Sequence, residues 1–442
     1  MGLPEEGAVA QEGDARPRRS VASPGVRALA VLSLHTSPLA QPGTGDGGGM
    51  NVYVRELSAH LARSGVLVEV FTRADDPSVP VTVTVEPGFR VHHVAAGPVA
   101  RVPKEQLPQL VPAWTDAVRA CLTGPSGVVD AGPVDAIHAN YWLSGLAAHA
   151  LKHELDLPLM STFHTLDRVK ATSSPEEEAA AEPARRAAAE VEIVGCSDAV
   201  VASCSAEAEQ LASLYGADPS RVEIVAPGVD HAFFAPGDRR QARRAVGLPL
   251  DHPIILFVGR IQPLKGLTVA IDALAALSDL PRATLVVVGG PSGPHGRAEL
   301  AAVARRVDRL GLAGRVRMVP PKRHETLSTY YRAADVCVVP SRSESFGLVA
   351  LEAAACGVPV VAAAVGGLTT LVDHGRTGYL VDDRDPAAYA GHLRTILTHR
   401  DMAAALGSAA QRRAEGYTWA AAASALRDLN DRLTTRELVE CR

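Results

Sequence analysis

Short runs of β-branched residues alternate with longer Ala- and Leu-rich stretches along the chain from residue 26 onward. This alternation is typical of parallel sheets covered by helices. The predicted strands of the first half are Arg27–Leu34, Leu67–Thr72, Arg90–Ala95, Val134–His138, Leu157–Phe163 and Glu192–Gly195, and the predicted helices include Met50–Arg63, Leu143–His153 and Pro183–Val191. The predicted strands of the second half are Ile254–Gly259, Thr284–Gly289, Val316–Val319, Val336–Pro340 and Pro359–Ala363.

The apolar pattern breaks into Pro, Gly and charge around residues 226–251, which we interpret as a domain junction. The polar, Pro- and Gly-rich residues 1–25 predict a disordered tail. Two doubly wound α/β domains in tandem would place a ligand cleft between the carboxyl ends of their strands.

Composition narrows the class of protein. The 442 residues carry a formal net charge of -5, whereas a dedicated nucleic-acid binder normally has a basic surplus. No uncharged apolar stretch is long enough to span a bilayer, and residues 1–25 lack the apolar core of a signal peptide. We therefore expect a cytoplasmic protein without a membrane or nucleic-acid partner.

Two residue types are used unusually. Of the 44 basic residues only five are lysines, namely Lys104, Lys152, Lys170, Lys265 and Lys322. The six cysteines show no CxxC pair or zinc-binding spacing, so we expect buried free thiols in a reducing compartment.

A glycine-rich segment, HTSPLAQPGTGDGGGMN, runs from His35 to Asn51 between the first predicted strand and the next helix. Its glycines let backbone amides approach a bound group, and the helix start favours an anion. No GKS or GKT ends the segment, so it is not a P-loop, and it matches GxGxxG only loosely. The residues alone leave two interpretations open: a loop that holds an anion or sugar phosphate, and a flexible connector.

The segment GRIQPLKG follows the first predicted strand of the second half. Arg260 and Lys265 flank a turn at Pro263, so both cations can converge on one diphosphate. Two ordinary surface cations are the alternative interpretation.

The segment PSRSESFGLVALEAAACG places Glu344 before a helix and Glu352 eight residues later, so that both can face one cleft. Glu352 stands in an apolar stretch, where an unpaired carboxylate is costly. Because a carboxylate can accept two hydrogen bonds from a vicinal diol, ribose hydroxyls are natural partners.

Together these segments resemble a known family. GRIQPLKG and PSRSESFGLVALEA resemble the donor site of the family 4 retaining glycosyltransferases of the GT-B fold, and GGPSGP and APGVD fit as well. The segments HTSPLAQPGTGDGGGMNVY, AGPVARVPKEQLP, NYWLSG and FHTLDRVK are similar to the D-inositol-3-phosphate glycosyltransferases of mycothiol biosynthesis. The resemblance covers nearly the whole chain outside the tail.

The resemblance implies an α/β, GT-B architecture with two doubly wound Rossmann-like domains facing across a cleft. Residues 26–231 would be the N-terminal acceptor-binding domain and 232–415 the C-terminal nucleotide-sugar-binding domain. Residues 416–442 would form a C-terminal helix that packs back on the N-terminal domain.

The resemblance also implies roles for individual residues. The implied acceptor-binding residues are His35, Asp46, Gly47, Gly48, Gly49, Met50, Asn51, Lys104, Tyr141, Thr165 and Arg185. The implied donor-binding residues are Gln41, Pro42, Gly49, Arg260, Lys265, Lys322, Glu344 and Glu352. The implied catalytic residues are His164, Arg260, Lys265 and Glu344, and a structural magnesium ion would lie near Tyr331, Arg332 and Ala334. Departures from the family pattern include Asn140, where a His is usual, Ala171, where an Asn is usual, and Lys322, where an Arg is usual.

The implied reaction moves N-acetylglucosamine from UDP-N-acetylglucosamine to 1D-myo-inositol 3-phosphate with retention, the first step of mycothiol biosynthesis. No cofactor is required for catalysis, because Arg260 and Lys265 can stabilise the leaving diphosphate. We also expect a homodimer.

Two alternatives stay open at this level. A related retaining glycosyltransferase could use another cyclitol or sugar-phosphate acceptor. A UDP-sugar 2-epimerase has the same fold and binds the same donor but needs no acceptor site.

Overall fold

The computed structural model describes residues 26–441 apart from 44, 46, 125–132, 174–181 and 294, so the predicted tail lies outside the described residues. The strands are β1 Ala28–Leu32, β2 Leu67–Arg73, β3 Thr82–Glu86, β4 Phe89–Val94, β5 Ala136–Asn140, β6 Leu159–Thr162, β7 Ala199–Ala202, β8 Val222–Ile224, β9 Ile254–Val258, β10 Thr284–Val288, β11 Val316–Val319, β12 Val336–Val339, β13 Val360–Ala363 and β14 Gly378–Val381. The helices are α1 Gly49–Arg63, α2 Val111–Thr123, α3 Trp142–Leu155, α4 Asp167–Ser173, α5 Glu182–Cys196, α6 Ser205–Tyr215, α7 Arg239–Ala245, α8 Leu267–Ala276, α9 Gly296–Arg309, α10 His324–Ala333, α11 Leu348–Ala355, α12 Leu368–Leu371, α13 Pro386–Thr398, α14 Arg400–Ala414 and α15 Trp419–Leu433. Among the helices of this described part, none has the length and apolar character to cross a membrane.

The strands form two separate sheets. The first has the order β3-β4-β2-β1-β5-β6-β7-β8 and is parallel except for β3, which pairs antiparallel with β4. The second has the order β11-β10-β9-β12-β13-β14 and is parallel throughout. In each sheet the strand order reverses next to the first strand, between β1 and β5 and between β9 and β12. Ligands of doubly wound sheets bind at such reversal points.

The central strands are buried on both faces, as in β1 and β10, where all five residues are buried. Parallel sheets covered by helices produce this pattern, because side chains on both faces pack against helices. Each fully buried Val or Leu contributes roughly 1.5–3 kcal/mol relative to exposure. The core therefore depends on many small aliphatic residues, with few aromatic ones.

One predicted strand is wrong. Residues 192–195 belong to helix α5, and the next strand is β7. Ile193 and Val194 are almost fully buried, and Ile193 packs so closely on α3 that a Cβ at Gly145 would lie 2.7 Å from it. Tertiary packing outweighs the weak strand preference of these two residues. The sequence prediction also missed the strands β3, β7, β8 and β14.

Helix α15 packs on the first sheet, not the second. Its apolar residues Trp419, Leu426 and Leu433 are buried in one cluster with residues of β1, β2 and α1. Two segments connect the domains, one after β8 and one before α15. They lie side by side, and the Val229 N–H of the first donates to the Tyr417 carbonyl of the second at 3.1 Å. The chain thus passes into the second domain and returns through adjacent segments.

The expectation of free thiols is wrong for one pair of cysteines. Cys196, at the end of α5, and Cys441, in the segment after α15, form a disulfide with their Cα atoms 5.0 Å apart. Four cysteines are free, and three of these are buried. Sequence spacing could not show this pairing, because 245 residues separate the partners.

Candidate functional site

A cleft of about 790 Å³ lies where the reversal points of the two sheets face each other. The loops after β1 and β5 line one side, and the loops after β9 and β12 line the other. The two sides touch directly: the Ser292 hydroxyl donates to the Gly45 carbonyl at 2.5 Å, and the Ser345 hydroxyl donates to the His164 carbonyl. The two domains are therefore in direct contact beside the cleft.

The glycine-rich segment after β1 is an ordered loop where it is described. The Asn51 side chain accepts from the Gly48 N–H at 2.8 Å and donates to the Thr36 hydroxyl at 2.7 Å, which ties the loop to the start of α1. A Cβ at Gly48 would lie only 3.3 Å from Arg260 Nε, so glycine there lets the guanidinium approach the loop. Asn51 is buried and holds the loop in place.

Three cations surround Tyr141, which follows β5. The Lys104 ammonium lies 4.5 Å from the centre of the phenol ring, and the Arg186 guanidinium lies 4.9 Å from it. Burial favours the neutral phenol, yet Lys104, Arg186 and Lys170 together lower the Tyr141 pKa. Burial, Arg186 and Lys104 lower the pKa of Lys170 to about 8. Such a concentration of positive charge suits a bound anion.

The cleft contains Arg186 and not the predicted Arg185. Arg185 is exposed, whereas the Arg186 side chain is only 6% exposed. Arg186 Nε donates to Glu190 at 2.7 Å, and Nη2 donates to the carbonyl and hydroxyl of Thr165 at 2.6 and 3.1 Å. Among the described residues these bonds use three of the five guanidinium N–H donors. Successive side chains on a helix point about 100° apart around its axis. Arg186 therefore faces the cleft while its neighbour Arg185 faces solvent.

Two histidines complete this side of the cleft. His164 has a positive φ of 60°, and its Nε2 lies 2.8 Å from the Asn140 side-chain oxygen. Burial lowers the pKa of His164 to about 3, so the ring is neutral near pH 7 and Nε2 donates to Asn140. The Nδ1 atom of His35 is buried and has no hydrogen-bond partner among the described residues. A buried, unpartnered nitrogen in the cleft is suited to a ligand hydroxyl.

The opposite side carries the charged residues of the second domain. Lys265 donates to Glu344 at 2.7 Å, and the Ser341 hydroxyl donates to the same carboxylate oxygen at 3.2 Å. Both charged side chains stay about one-fifth exposed, at 22% and 19%, so a ligand can reach them. Arg260 reaches the cleft from the loop after β9. The two cations and the carboxylate therefore lie beside the glycine-rich loop of the first domain.

Glu352 has two partners that the sequence did not reveal. The Tyr331 hydroxyl donates to one carboxylate oxygen at 2.7 Å, and His324 Nε2 lies 2.7 Å from the other. Burial disfavours the charged form of His324, but Glu352 outweighs this and raises the His324 pKa. Two oxygens offer about four acceptor sites, so the carboxylate can still accept from a diol. Glu352 lines the cleft and is therefore held in place for a ligand.

The cleft brings most of the predicted residues together. Those that line it are His35, Pro42, Gly48, Gly49, Met50, Lys104, Tyr141, His164, Thr165, Arg260, Lys265, Lys322, Glu344 and Glu352. Gln41, Gly47, Asn51 and Arg185 lie outside its lining, and Asp46 is outside the described residues. The sequence analysis missed Lys170 and Arg186. The rarity of lysine was the available signal for Lys170, because four of the five lysines line the cleft.

The fifth lysine has a structural role. Lys152 is 1% exposed and donates to the Cys196 carbonyl at 2.7 Å and to Asp198 at 2.9 Å. Removing one partner of such a buried pair leaves the other charge uncompensated.

The magnesium ion predicted near Tyr331, Arg332 and Ala334 stays a prediction. The Tyr331 carbonyl accepts from the Ala334 N–H at 3.0 Å, and the Tyr331 hydroxyl is bound to Glu352. The Arg332 guanidinium donates to the Phe233 carbonyl at 3.0 Å. We assign no step to a metal here.

Comparison with known proteins identifies the family. D-inositol 3-phosphate glycosyltransferase of Kineococcus radiotolerans is 47% identical over 91% of this chain and 94% of that protein. The protein of the same name from Geodermatophilus obscurus is 46% identical over 91% of this chain and 88% of its own length. The chain belongs to this glycosyltransferase family. Two family models agree: Glycosyl transferase 4-like domain matches residues 48–228, and Glycosyl transferases group 1 matches residues 238–413.

Solved structures confirm the GT-B fold of this glycosyltransferase. Sucrose-phosphate synthase from Thermosynechococcus elongatus is 34% identical, with a TM-score of 0.84 over 92% of this chain and 99% of that one. Anabaena HepE in complex with UDP and glucose has a TM-score of 0.71 over 92% of this chain and all of its own, but only 21% identity. The latter likeness concerns the fold alone. The family and the fold predicted from the sequence are both confirmed.

Proposed function

We propose that this glycosyltransferase moves N-acetylglucosamine from UDP-N-acetylglucosamine to 1D-myo-inositol 3-phosphate with retention at the anomeric carbon. The observation that carries the proposal is the division of the cleft into two cationic sites. Lys104, Lys170 and Arg186 surround Tyr141 on the first-domain side. Arg260 and Lys265 lie on the second-domain side. One phosphate-bearing acceptor and one diphosphate donor match these two sites.

The acceptor phosphate would lie against Tyr141. A phosphomonoester dianion takes charge-assisted hydrogen bonds from Lys104, Lys170 and Arg186 and a neutral one from the Thr165 hydroxyl. The unpartnered Nδ1 of His35 would accept from an inositol hydroxyl. An unphosphorylated cyclitol would leave this positive charge uncompensated, which disfavours it as the acceptor.

The donor would lie between the glycine-rich loop and the second domain. Arg260 and Lys265 would hold the diphosphate and stabilise its growing charge as the glycosidic bond breaks. Glu344, positioned by Lys265, would accept from hydroxyls of the transferred sugar, and Glu352 would accept from the ribose. With both donor and acceptor on one face, the leaving phosphate oxygen can accept the proton of the attacking hydroxyl. That arrangement supports retention without a protein base.

His164 would act as a neutral contact to the transferred sugar. Its Nε2 proton is committed to Asn140, and its carbonyl accepts from Ser345 of the opposite domain. The ring therefore cannot donate a proton from Nε2 to the leaving group. This bond places His164 beside the second domain, where it can contact a sugar held between the domains.

A matrix of UDP-sugars against inositol phosphates tests the proposal. We expect UDP release from UDP-N-acetylglucosamine only when inositol 3-phosphate is present, and a product whose anomeric configuration matches the donor by NMR. Free inositol should be at least about 100-fold poorer in kcat/KM, because it lacks the anion that the cations around Tyr141 would bind. A UDP-sugar isomer formed without acceptor would instead indicate an epimerase. Equal activity with unphosphorylated cyclitols would show that another acceptor is used.

The pH dependence of activity in the alkaline range should follow the loss of charge on Lys170. Its pKa of about 8 means that the ammonium loses its charge as pH rises through about 8, while Arg186 stays charged. We expect kcat/KM for the acceptor to fall through that range, because this ratio follows the ionisation of the free enzyme. The acceptor phosphate titrates near pH 6, so it does not cause the alkaline fall.

The matched variant is Lys170→Arg, which keeps a positive charge throughout the range. Its pH profile should stay flat through about 8, although its maximum can be lower. A pH profile of the variant that falls at the same pH as that of the wild type would contradict the role of Lys170.

The homodimer and the cytoplasmic location expected from the sequence stay predictions.

A further inference from the structure

A cluster of two histidines and two cysteines lies away from the cleft, between helices α3 and α5 and the C-terminal segment. One potential ligand atom from each of His149, His153, Cys196 and Cys441 lies within 4.8 Å of every other. Cys196 is buried, His149 and Cys441 are half-buried, and His153 is exposed. In the part of the chain that the structure describes, these four side chains form a group of His, Cys, Asp or Glu residues close enough together to hold a metal ion.

The two histidines are placed for chelation by the helix itself. His149 and His153 stand four positions apart in α3, which puts both rings on one face. Their ring centroids are 5.0 Å apart, and His153 Nε2 lies 2.9 Å from Cys441 Sγ. One histidine is therefore already in contact with a sulfur of the cluster.

A carboxylate holds the other histidine in a ligand orientation. His149 Nδ1 lies 3.1 Å from the Glu192 carboxylate, which leaves Nε2 as the ring nitrogen that can bind a metal. Histidine ligands of zinc commonly have such a carboxylate on their second nitrogen, because it fixes the tautomer and the ring. Glu192 lies one turn before Cys196 in α5, so one helix supplies both the carboxylate and a thiol.

We propose that, in the reduced protein, His149, His153, Cys196 and Cys441 form a Cys2His2 site for Zn²⁺. Two thiolates and two imidazoles are a ligand set typical of a structural, tetrahedral zinc ion. Bonds of about 2.0–2.3 Å place tetrahedral ligands within roughly 4 Å of one another, so the cluster needs only small side-chain movements. The site is independent of the glycosyltransferase reaction.

The disulfide and the zinc site are two states of the same residues. A thiol or phosphine reductant supplies two electrons, and two protons convert the Cys196–Cys441 bond into two thiols. Each thiol then releases its proton as the thiolate binds zinc. Both states attach the C-terminal segment to the first domain. The attachment continues at Val439, whose N–H donates to Asp198 at 2.7 Å.

Cobalt titration of the full-length, reduced, metal-free protein tests the site. We expect one Co²⁺ per chain, with the visible bands of tetrahedral cobalt and a thiolate-to-cobalt charge-transfer band, and displacement of the cobalt by Zn²⁺. Cys441→Ser and His153→Ala should each weaken binding by about tenfold or more, and Glu192→Gln by about 10- to 100-fold. Cys121→Ser and His399→Ala remove a cysteine and a histidine outside the cluster and should bind cobalt as wild type does.

We expect the Cys441→Ser and His153→Ala variants to fold, because Cys441 lies beyond the last helix and His153 is exposed. A loss of cobalt binding in them would therefore report the site and not unfolding. Reduced protein that takes up no stoichiometric cobalt, yet closes the Cys196–Cys441 disulfide on oxidation, would overturn the zinc assignment. Cobalt binding that is unchanged by Cys441→Ser and His153→Ala would overturn it as well.

Discussion

Arg260→Ala is expected to lower kcat by about 100- to 1,000-fold with UDP-N-acetylglucosamine and inositol 3-phosphate. The guanidinium lies against Gly48 across the cleft, where it can reach a diphosphate held by the glycine-rich loop. Because negative charge grows on the leaving diphosphate, the cation stabilises the transition state more than the bound donor. Steady-state kinetics with both substrates varied would measure the effect.

Two further variants test whether the loss of kcat comes from the guanidinium of Arg260. Arg260→Lys keeps the charge but not the planar pair of donors, so its kcat should lie between those of wild type and Arg260→Ala. Arg317→Ala is the matched control, since Arg317 lies on β11 outside the cleft lining and donates to the Gly247 carbonyl. A rise in donor KM with kcat unchanged in Arg260→Ala would show that the residue contributes only to ground-state binding.

Arg186→Ala and Arg185→Ala should differ sharply, although the two residues are neighbours. We expect Arg186→Ala to lower kcat/KM for inositol 3-phosphate by about 100-fold or more, because it removes a nearly buried charged donor. Arg185→Ala should stay close to wild type, since its side chain is exposed and outside the cleft lining. Donor affinity, measured by UDP binding, should be unchanged in both.

Stability needs a separate check for Arg186→Ala. Arg186 also donates to the fully buried Glu190, so the variant leaves a buried carboxylate with one partner fewer. Thermal denaturation would show the resulting loss, and Thr165→Val tests the same pocket without removing a charge. If Arg185→Ala loses acceptor kcat/KM while Arg186→Ala keeps it, the acceptor site described above is wrong.

The sequence predicted the architecture well because hydrophobic periodicity depends on local spacing. Buried runs such as Ile254–Val258 reveal a parallel strand without knowledge of its neighbours. The segment around Ile193 shows the limit, since a short Val- and Ile-containing run can be a strand or a buried helical turn. Contact with Gly145 on another helix decides between them.

The site was predicted in part, for a related reason. Motifs such as GRIQPLKG predict that Arg260 and Lys265 lie at the cleft, as they do in the structure, because loop residues after a strand lie at the sheet edge. Arg185 was assigned one position away from the buried Arg186, since the motif does not show which face of α5 meets the cleft. The partners of Glu352 come from α10, and no local pattern reveals a hydrogen bond between residues 21 apart, as for Tyr331.

The return of helix α15 to the first domain has a consequence for biosynthesis. Trp419 and Leu426 complete an apolar cluster whose other members include β1 and β2, near the start of the chain. A ribosome therefore synthesises both sheets and helix α15 before the first domain can cover its own apolar face. During translation that apolar face stays exposed until α15 is made. The second domain consists of one continuous stretch of chain, so it can finish folding first. The domain synthesised first is thus the one that is completed last.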